Sequence, residues 1–564
     1  MRNVRLAIGL MIVVALLLAG YLILRGTNVL GLPSVAEVKS VPAGHQEVAW
    51  LAPATSDEAW ERQVAGVRYL IQQWPKWFPQ SPPLLANFER AFLDPTADIP
   101  EVGLYFQGQN QSVLWLRWYK LSSEIGSKLW IPKLAARKPP PLAILGGDTS
   151  DRAVHQGGLL RDHLADWQGK PPLFLITTAT ADRHYRGDYR PGGTPDDSLT
   201  RKNWPKVMEV YKDRSFRFSF TNTRMAEAVM EFIQEHPEIW LTVKRDPAFA
   251  AALVGNGTGL GTLNVLAAGG YFPTYHLYAP AWADDTYSLD LADRFIDVFL
   301  ERFVRGGDAS TSFRNSYIPF GVGDYYSPNP REVMEIGIFL AHVGGFRNHN
   351  QMVVLPTTSQ RARRFLHTLC AREPLYLRNL VVMSGDAITF NNIYRDRDLA
   401  WNILDMPVPL VFFSHRNPIS QAAGFGQKVE NYISNTGTQD LLLYSDILNA
   451  LLQAAFQDHA LTGDADILRR RLQATKWHKG RLYNPGFTAP AADSVDLFTA
   501  EGDRSHKTGE HVVWLKPEFS GARVDPRATI TVWRVGPAGW YPAGQPLEVE
   551  YNSAMPLQGN HAPD

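Results

Sequence analysis

Short apolar runs alternate with helix-like segments along most of this chain, and this alternation limits its fold more than any other feature. The first series of strand-like runs lies at residues 47–53, 113–120, 141–147 and 172–180. The second series lies at 274–282, 351–356 and 377–385. Beyond it, the run at 408–415 with the helix-like segment 439–457 looks like another strand–helix unit, and the runs at 511–517 and 528–535 read as closing strands. Segments with a helical spacing of apolar residues separate most of these runs. Because parallel strands need long crossovers, which are usually helices, the pattern predicts an α/β fold with parallel sheets covered by helices.

Composition excludes several classes of function. The 564 residues include 56 Lys and Arg and 56 Asp and Glu, so no net charge attracts a polyanion, and we expect no nucleic-acid partner. Cys370 is the single cysteine, which excludes a disulfide within the chain and any multi-cysteine metal site. A P-loop, an HExxH motif and a GxSxG nucleophile elbow are absent. We expect neither a metal ion nor another cofactor.

The N-terminus carries a candidate membrane anchor. Residues 6–24 are uncharged and mostly apolar, and a helix of this length is about 30 Å long, enough to span a bilayer. A cleaved signal peptide is the alternative, but the apolar run continues where such a peptide has small residues. With Arg2 and Arg5 in the cytoplasm, we predict a single-pass inner-membrane protein whose bulk lies in the periplasm or another extracytoplasmic space. In this prediction residues 1–25 are the anchor and 26–43 a stalk.

Polar residues follow three of the predicted strands, and ligands in open α/β sheets lie beyond the carboxyl ends of strands. GGDTSD at 146–151 offers glycines, hydroxyl groups and the amino end of a helix, which favours an anion. TTAT at 177–180 ends the next strand with more hydroxyl groups. SGDAITFN at 384–391 places Asp386 where it can meet a cation. Each segment also has a purely structural interpretation: a helix cap for 146–151, an ordinary strand end for 177–180, and a turn aspartate for 384–391.

The order of these motifs resembles the type I periplasmic-binding superfamily, in particular the leucine/isoleucine/valine-binding proteins of ABC transporters. The matching segments, in chain order, are LAILGGDTSDRA, PLFLITTAT, RSFRFSFTNTRMAEAVMEFI, WADDTYSLDLADRF, VVMSGDA, YSDILNALLQAAF and DLFTAEGDR. The resemblance spans about residues 44–540. It implies a two-lobed fold, in which two Rossmann-like parallel-sheet lobes are joined by a hinge, after one N-terminal transmembrane helix.

The resemblance also implies a division of the chain. Lobe 1 is expected to comprise 44–235 and 390–460, lobe 2 to comprise 236–389 and 480–540, and the C-terminal tail to comprise 541–564. The stretches 184–205 and 243–270 fit neither lobe, and their polar or glycine-rich sequences favour loops or insertions.

A ligand site is part of what the resemblance implies. Its residues are Thr149, Ser150, Thr178, Ala179, Thr180, Tyr287, Thr358 and Asp386. Ser150 and Thr180 would bind a ligand carboxylate with help from nearby backbone groups, and Asp386 would receive a ligand amine. Tyr287 would close over the ligand, whereas Thr358 stands where amino-acid binders often have an aromatic residue. Hydroxyl and NH groups for an anion, with one carboxylate for a cation, fit a zwitterion.

The function expected from this resemblance is the binding of a small polar ligand, such as an amino acid, by closure of two lobes. Such a protein would serve an ABC-type permease, act as a sensor or pass its ligand to an envelope partner, and it would not be an enzyme. A cell-envelope interaction protein without a ligand is one alternative. An envelope hydrolase is another, but its candidate pair, Ser414 and His415, is adjacent on a strand and points to opposite faces. The charged block at 390–418 fits a hinge-side ion-pair network, a lid or a ligand contact.

Overall fold

The structure, a computed structural model, describes residues 37–92, 98–109, 111–121, 125–184, 205–240, 275–282, 285–304, 312–318, 334, 337, 350–357, 361–362, 365–366, 369, 380–387, 408–415, 417, 437–457, 460–505, 508–520, 523–536, 539–543 and 545–550. Outside these residues lie the predicted membrane segment 6–24, Thr358, Cys370, the stretch 243–270, most of 184–205 and residues 390–407. Within the described ranges, the structure has no helix that is both long and apolar enough to cross a membrane.

The first sheet corresponds to the first series of apolar runs. Its described strands are β1 (Gln46–Pro53), β2 (Leu84–Asn87), β3 (Glu101–Phe106), β4 (Leu114–Leu121), β5 (Ala143–Gly146), β6 (Leu173–Ile176) and β7 (Ser215–Arg217). The strands β4-β1-β5-β6-β7 are parallel neighbours in that order, and β3 and then β2 extend the sheet beyond β4 with antiparallel pairings. Because β5 and β6 are buried on both faces, their sequences are continuously apolar, and β1 is apolar from Val48 onward.

Helices flank the strands, as the alternating pattern predicts. The described helices are α1 (Asp57–Trp77), α2 (Ile125–Ala136), α3 (Ser150–Asp162), α4 (Asn222–Glu235), α5 (Thr286–Phe299), α6 (Gly437–Ala455) and α7 (Ala465–Gln473). Shorter turns of helix span Val207–Glu209, Pro237–Trp240 and Leu300–Val304. In α1 the buried side chains recur every three or four residues, at Trp60, Val64, Val67, Leu70 and Trp74. Burying each large apolar side chain of this kind contributes about 1.5–3 kcal/mol, so packing rather than intrinsic propensity holds the helix.

The second sheet combines a parallel part with an antiparallel extension. Its parallel strands are β8 (Tyr275–Trp282), β9 (Ser312–Ile318), β10 (Asn350–Val354), β11 (Leu380–Ser384) and β12 (Leu410–Ser414). The next strands form two small separate sheets: β13 (Phe456–Gln457) with β14 (Ala460–Leu461), and β15 (Lys476–His478) with β16 (Arg481–Tyr483) and β17 (Val495–Asp496). Antiparallel strands then extend the second sheet from β12: β18 (His511–Ser520), β19 (Arg523–Gly536), β20 (Gly539–Pro542) and β21 (Leu547–Glu550).

Separate hydrophobic cores define two lobes in the described residues. The first lobe is the first sheet with α1, α2, α3, α6 and α7, and the second lobe is the second sheet with α4 and α5. Trp50, Trp60 and Trp118 pack together in the first lobe with ring centroids 5.3–5.9 Å apart. Phe218 belongs to the first core and Phe220 to the second. The chain therefore passes from one lobe to the other between these two phenylalanines, and we call residues 218–221 the crossover.

Parts of the predicted division of the chain are wrong. Residues 222–235 were assigned to lobe 1 but form α4, which packs in the second core. Residues 408–415 were also assigned to lobe 1, yet β12 pairs with β11 and β18 of the second sheet. The tail expected from residue 541 contains half of β20 and all of β21, which pair with β19. For α4 and β12 the apolar pattern identified the element but not its partner, because pairing depends on contacts far away in sequence, whereas β20 and β21 were not predicted as strands.

The stretch from 480 to 500 departs from the predicted division in the opposite direction. It was assigned to lobe 2, but Leu482, Leu497 and Phe498 are buried in the first core. Residues 443–456, mostly in α6, pack in that same core, as their assignment to lobe 1 predicts. The chain therefore returns from β12 to the first lobe and then to the second with β18.

Candidate functional site

The carboxyl ends of β5 and β6 carry most of the predicted anion-binding residues of the first lobe. Thr149 precedes α3, and its hydroxyl oxygen accepts a hydrogen bond from the Arg152 backbone N–H at 3.2 Å, so Thr149 caps this helix. Ser150, the first residue of α3, is buried, and its hydroxyl oxygen accepts a hydrogen bond from the Ala181 N–H. A hydroxyl group also has one proton to donate, so Ser150 keeps a donor for a ligand oxygen.

Three residues after β6 complete this edge of the first lobe. The Thr178 hydroxyl donates to the Asp148 carbonyl oxygen at 2.8 Å, and the Ala179 N–H donates to the Gly147 carbonyl oxygen. Thr180 is fully buried, and its hydroxyl has no hydrogen-bond partner among the described residues. The loops after β5 and β6 are therefore tied to each other, and the Thr180 hydroxyl is one of their unused polar groups.

In the second lobe, the predicted amine-binding residue forms part of a hydrogen-bonded triad. The Tyr287 hydroxyl donates to one carboxylate oxygen of Asp386 at 3.2 Å, and His415 Nε2 lies 2.8 Å from the other. The Ala387 N–H donates to the Tyr287 hydroxyl oxygen. Burial, with the negative charge of Asp386 adding to it, raises the pKa of Tyr287 well above its usual value, so the hydroxyl stays protonated and keeps donating.

His415 also contacts the crossover. Its Nδ1 accepts a hydrogen bond from the Phe220 backbone N–H at 3.3 Å. A neutral imidazole that accepts at Nδ1 carries its proton at Nε2, which is the nitrogen that faces Asp386. The His415 and Phe220 rings are nearly parallel, with an interplanar angle of 4° and centroids 5.7 Å apart. Both ring nitrogens are thus engaged, and the ring is fixed by packing.

Asn222 joins the two groups of predicted residues. Its backbone N–H donates to the Thr180 carbonyl oxygen at 2.8 Å, while its side-chain amide lies 3.5 Å from the Tyr287 carbonyl oxygen. The same amide donates to a carboxylate oxygen of Asp290 at 2.9 Å. A continuous set of hydrogen bonds therefore runs from the first lobe to the second. We call the set made by Asn222, Tyr287, Asp290, Asp386 and His415 the interlobe network.

Asp290 is the buried charge of this network. The Asp182 N–H, from the loop after β6, donates to the same Asp290 oxygen as Asn222 does. The other oxygen lies 3.6 Å from Arg294 Nε, beyond hydrogen-bonding distance. Burial, together with the nearby carboxylate of Asp182, raises the pKa of Asp290 from 3.8 to about 7. A group that changes charge near neutral pH thus lies between the lobes.

The helix starts of the two lobes also contact each other directly. The Thr286 hydroxyl at the start of α5 donates to the carboxylate of Asp151 in the first turn of α3. His184 Nε2 lies 3.5 Å from the same carboxylate oxygen. Burial acts to raise the pKa of Asp151, but the hydrogen bonds from His184 and Thr286 outweigh it and lower the pKa. The bond between Thr286 and Asp151 thus joins the amino ends of α5 and α3 across the two lobes.

Sequence reasoning found some of these residues and missed others. The structure brings Ser150, Thr178, Ala179 and Thr180 to one edge of the first lobe and links them through Asn222 to Tyr287 and Asp386. Thr358 lies outside the described residues. Its neighbour Thr357 is buried, and its hydroxyl has no hydrogen-bond partner in the described part of the chain.

His415, Asn222 and Asp290 were not predicted as members of this site. His415 is the first residue after β12, so the rule that selected Asp386 selects it too once β12 is placed in the second sheet. Asn222 directly follows the crossover, where a polar residue has no special pattern. Asp290 lies on α5 between two leucines, and its sequence context does not distinguish it from Asp297 on the exposed face of the same helix. Within the described residues, no group of three or more His, Cys, Asp or Glu side chains is arranged to hold a metal ion.

Comparisons with known proteins return similar structures only. No protein-family model and no curated protein sequence matches the chain. An ABC transporter substrate-binding protein from Desulfitobacterium hafniense is 12% identical, with a TM-score of 0.44 over 85% of this chain and 99% of that one. A leucine-binding protein from Thermotoga maritima is 13% identical, with a TM-score of 0.43 over 85% and 97%. A leucine-, isoleucine-, valine-, threonine- and alanine-binding protein from Brucella ovis, in a closed conformation, is 10% identical, with a TM-score of 0.48 over 91% and 97%.

Proposed function

We propose that this protein binds a small polar ligand, an amino acid or a similar zwitterion, between its two lobes. One observation carries the proposal: the residues expected to hold the two ends of such a ligand come from different lobes and meet in one hydrogen-bonded region. Asp386 belongs to the second lobe, whereas Ser150 and Thr180 belong to the first. A ligand that contacts both groups favours the closed arrangement of the lobes.

The spare hydrogen-bonding capacity of these groups matches the two ends of a zwitterion. A carboxylate offers about four acceptor positions, and Asp386 uses two of them for Tyr287 and His415, which leaves room for an ammonium group. Ser150 and Thr180 can each donate a hydroxyl proton to a ligand carboxylate, with the amino end of α3 nearby.

The geometry of His415 favours binding over catalysis. A general base must have a nitrogen lone pair that reaches the proton it removes. In His415, one nitrogen accepts from the Phe220 N–H and the other faces Asp386, so no lone pair is directed at a nucleophile. A hydrolase that uses Ser414 and His415 would need this network to be dismantled first, and we therefore propose a protein without covalent chemistry.

We further propose that residues 6–24 anchor the protein in the inner membrane with the two lobes outside the cytoplasm. The partner in transport would be an ABC-type permease, and a sensor that passes its closed state to an envelope partner is the other role for the same site. Separation of membrane and soluble fractions tests the anchor: full-length protein in the membrane fraction is expected, and a soluble product that begins near residue 27 contradicts it.

Thermal shift of the full-length protein against the twenty amino acids tests the ligand, because a ligand that binds only the folded state raises the melting temperature.

Asp386→Ala should then lower the affinity of the best amino acid by roughly thirtyfold to several thousandfold, since losing one partner of a buried charge pair costs about 2–5 kcal/mol. Ser150→Ala should cost about 1–2 kcal/mol because backbone N–H groups remain. Asp162→Ala, at the exposed end of α3, is the matched control. Unchanged affinity in Asp386→Ala would remove the amino-acid proposal.

An interaction protein of the cell envelope is the second candidate, and one observation favours it. The lobes are closed by their own side chains, since Thr286 contacts Asp151 and the Asp182 N–H contacts Asp290. A protein that keeps this closed arrangement without a ligand would present fixed outer surfaces to a partner. No thermal shift with any amino acid, together with retained closure, would favour this candidate.

A further inference from the structure

The polar contacts of the crossover change from one lobe to the other at a single residue. The Phe218 N–H donates to the Ile176 carbonyl oxygen, and the Ser219 hydroxyl donates to the Ala179 carbonyl oxygen, both in the first lobe. The Phe220 N–H donates instead to His415, in the second lobe. Phe220 is also the first residue of this segment whose ring packs in the second core, against Phe413. The backbone amide of Phe220 is therefore held at the point where the lobes are joined.

His415 contacts both this amide and the acidic group of the ligand site. Its Nε2 faces Asp386 at 2.8 Å, and its Nδ1 accepts from Phe220 at 3.3 Å. The side chain is 10% exposed, and the Phe220 and Phe413 rings pack against it, so the ring cannot leave one partner without disturbing the other. The Arg504 guanidinium lies 4.5 Å from the centroid of the Phe220 ring and donates to the Phe218 carbonyl oxygen, which restrains the crossover further.

We propose that His415 is a positioning residue that couples the hydrogen bonds of the Asp386 carboxylate to the crossover between the lobes. The proposal rests on the proposed function, in which Asp386 receives the ligand amine. The ionised carboxylate accepts from Nε2–H and so keeps the Nδ1 lone pair available for the Phe220 N–H. A change at Asp386 that turns the ring or moves its proton to Nδ1 leaves the Phe220 amide without its acceptor. Capture of an amine at Asp386 is thereby transmitted to the joint on which closure depends.

Asp386→Asn changes the triad with little change in shape. The carboxylate accepts from Tyr287 with one oxygen and from His415 with the other, whereas an amide has one acceptor oxygen and a donor nitrogen. Tyr287 is itself held by the Ala387 N–H, so the amide cannot satisfy both partners in their present orientation. We expect His415 to lose its fixed tautomer and the Phe220 amide to exchange with solvent at least about tenfold faster.

Two conservative variants separate the contacts of His415. His415→Asn keeps an acceptor oxygen near the position of Nδ1 and loses the reach to Asp386. His415→Gln keeps a donor near the position of Nε2 and loses the acceptor for the Phe220 N–H. We therefore expect near-normal Phe220 exchange in His415→Asn and exchange at least about tenfold faster in His415→Gln. A role in packing alone would make the two variants behave alike.

Hydrogen–deuterium exchange of the full-length protein, without any added ligand, tests the coupling. The readout is the Phe220 amide, resolved by fragmentation of peptides that cover residues 218–221, with the Trp50 amide in β1 as a control for global unfolding. In the protein with the native His415, Asp386→Asn should accelerate Phe220 exchange at least about tenfold. In the His415→Asn variant, the same substitution should accelerate it less than about twofold, which is the non-additivity expected of coupled residues. The proposal is overturned if Asp386→Asn accelerates Phe220 exchange equally in both proteins, or if it does not accelerate exchange in the protein with the native His415.

This outcome is distinguishable from failure of the proposed function. Non-additive exchange in a protein that binds none of the twenty amino acids supports the coupling and removes the proposed ligand. Additive exchange in a protein whose amino-acid affinity depends on Asp386 removes the coupling and leaves the ligand in place.

Discussion

Two buried groups of charged residues in this protein differ in what their polar atoms do. The first, which we call the basal network, lies near the amino end of β1 and consists of Lys39, Glu47, Glu101, Arg117 and Arg137. All four carboxylate oxygens of its two glutamates have donors or cations within 3.1 Å. The buried atom of the basal network that has no hydrogen-bond partner among the described residues is a donor, Arg137 Nη2. In the interlobe network the unpartnered buried atoms are instead acceptors, namely one oxygen of Asp290 and the side-chain oxygen of Asn222.

The comparison shows that burial alone does not identify a functional site. The basal network lies within one lobe, and its charges compensate each other, which is what a stabilising ion-pair network requires. The interlobe network joins two lobes and retains unused hydrogen-bonding capacity, as expected where a ligand or a movement is to be accommodated. Both contain buried carboxylates, and in the interlobe network burial raises the pKa of Asp290 to about 7.

Glu47→Gln should have the largest effect on stability and none on the coupling between the lobes. Glu47 accepts from Arg117, Arg137 and Tyr119, and it is 1% exposed. Neutralising it leaves buried guanidinium charge uncompensated, which costs about 3–5 kcal/mol. Urea unfolding followed by tryptophan fluorescence measures this loss, because Trp50, Trp60 and Trp118 lie in the same lobe.

Glu61→Gln provides the control for that variant, because Glu61 is on the exposed face of α1 and should change the free energy of unfolding by less than about 0.5 kcal/mol. If Glu47→Gln were as stable as Glu61→Gln, the basal network would be dispensable. The basal network would then not be a stabilising ion-pair network, and the contrast with the interlobe network would not hold.

Asp290→Asn should have the second-largest effect, visible as a change in pH dependence. Because the folded-state pKa is raised from 3.8 to about 7, the stability linked to this group is complete below about pH 4 and is lost as the pH rises through 7. Between pH 5 and 8 the wild-type free energy of unfolding should fall by about 2–3 kcal/mol through Asp290, at about 1.4 kcal/mol per pKa unit. Urea titrations at several pH values measure the slope, which should be flatter in Asp290→Asn.

The titration of Asp290 must be separated from that of Glu510 in this experiment. Burial also raises the pKa of Glu510 to about 7 against the opposing effect of Arg224, but Glu510 is present in both proteins, so their difference isolates Asp290. Asp297→Asn, on the exposed face of the same helix, should keep the wild-type slope. Identical slopes in Asp290→Asn and Asp297→Asn would show that Asp290 does not titrate between the lobes.

The sequence predicted the elements of this fold better than their partners. Runs such as 47–53 and 408–415 are apolar because parallel strands are buried on both faces, and this pattern is local. Which sheet accepts a strand depends on residues far away in the chain, so 408–415 was assigned to the wrong lobe. Strands β2 and β3 went unpredicted because β2 has only four residues and Gly103 interrupts the short apolar run of β3.

The distinction between local patterns and long-range contacts also explains which residues of the candidate site the sequence indicated. Ser150, Thr180 and Asp386 were found because each follows a buried strand, where open α/β sheets bind ligands. Asn222 and Asp290 were missed because their importance comes from the contact between lobes, for which a single sequence has no periodic signal. His415 was considered as a catalytic base and, with the block at 390–418, as part of a hinge-side network, a lid or a ligand contact. The placement of β12 in the second sheet brings it next to Asp386.

Thr286→Val should have the smallest effect, confined to the closure of the lobes. The variant removes one hydrogen bond, from the Thr286 hydroxyl to Asp151, which is worth about 1 kcal/mol and shifts the ratio of open to closed molecules about fivefold. Without this bond the pKa of Asp151 should move back toward its ordinary value. Distances between nitroxide labels at positions 162 and 297, in a Cys370→Ser background, report the open fraction. Thr55→Val, at an exposed position, is the control, and unchanged distances in Thr286→Val would mean that the interlobe network alone keeps the lobes closed.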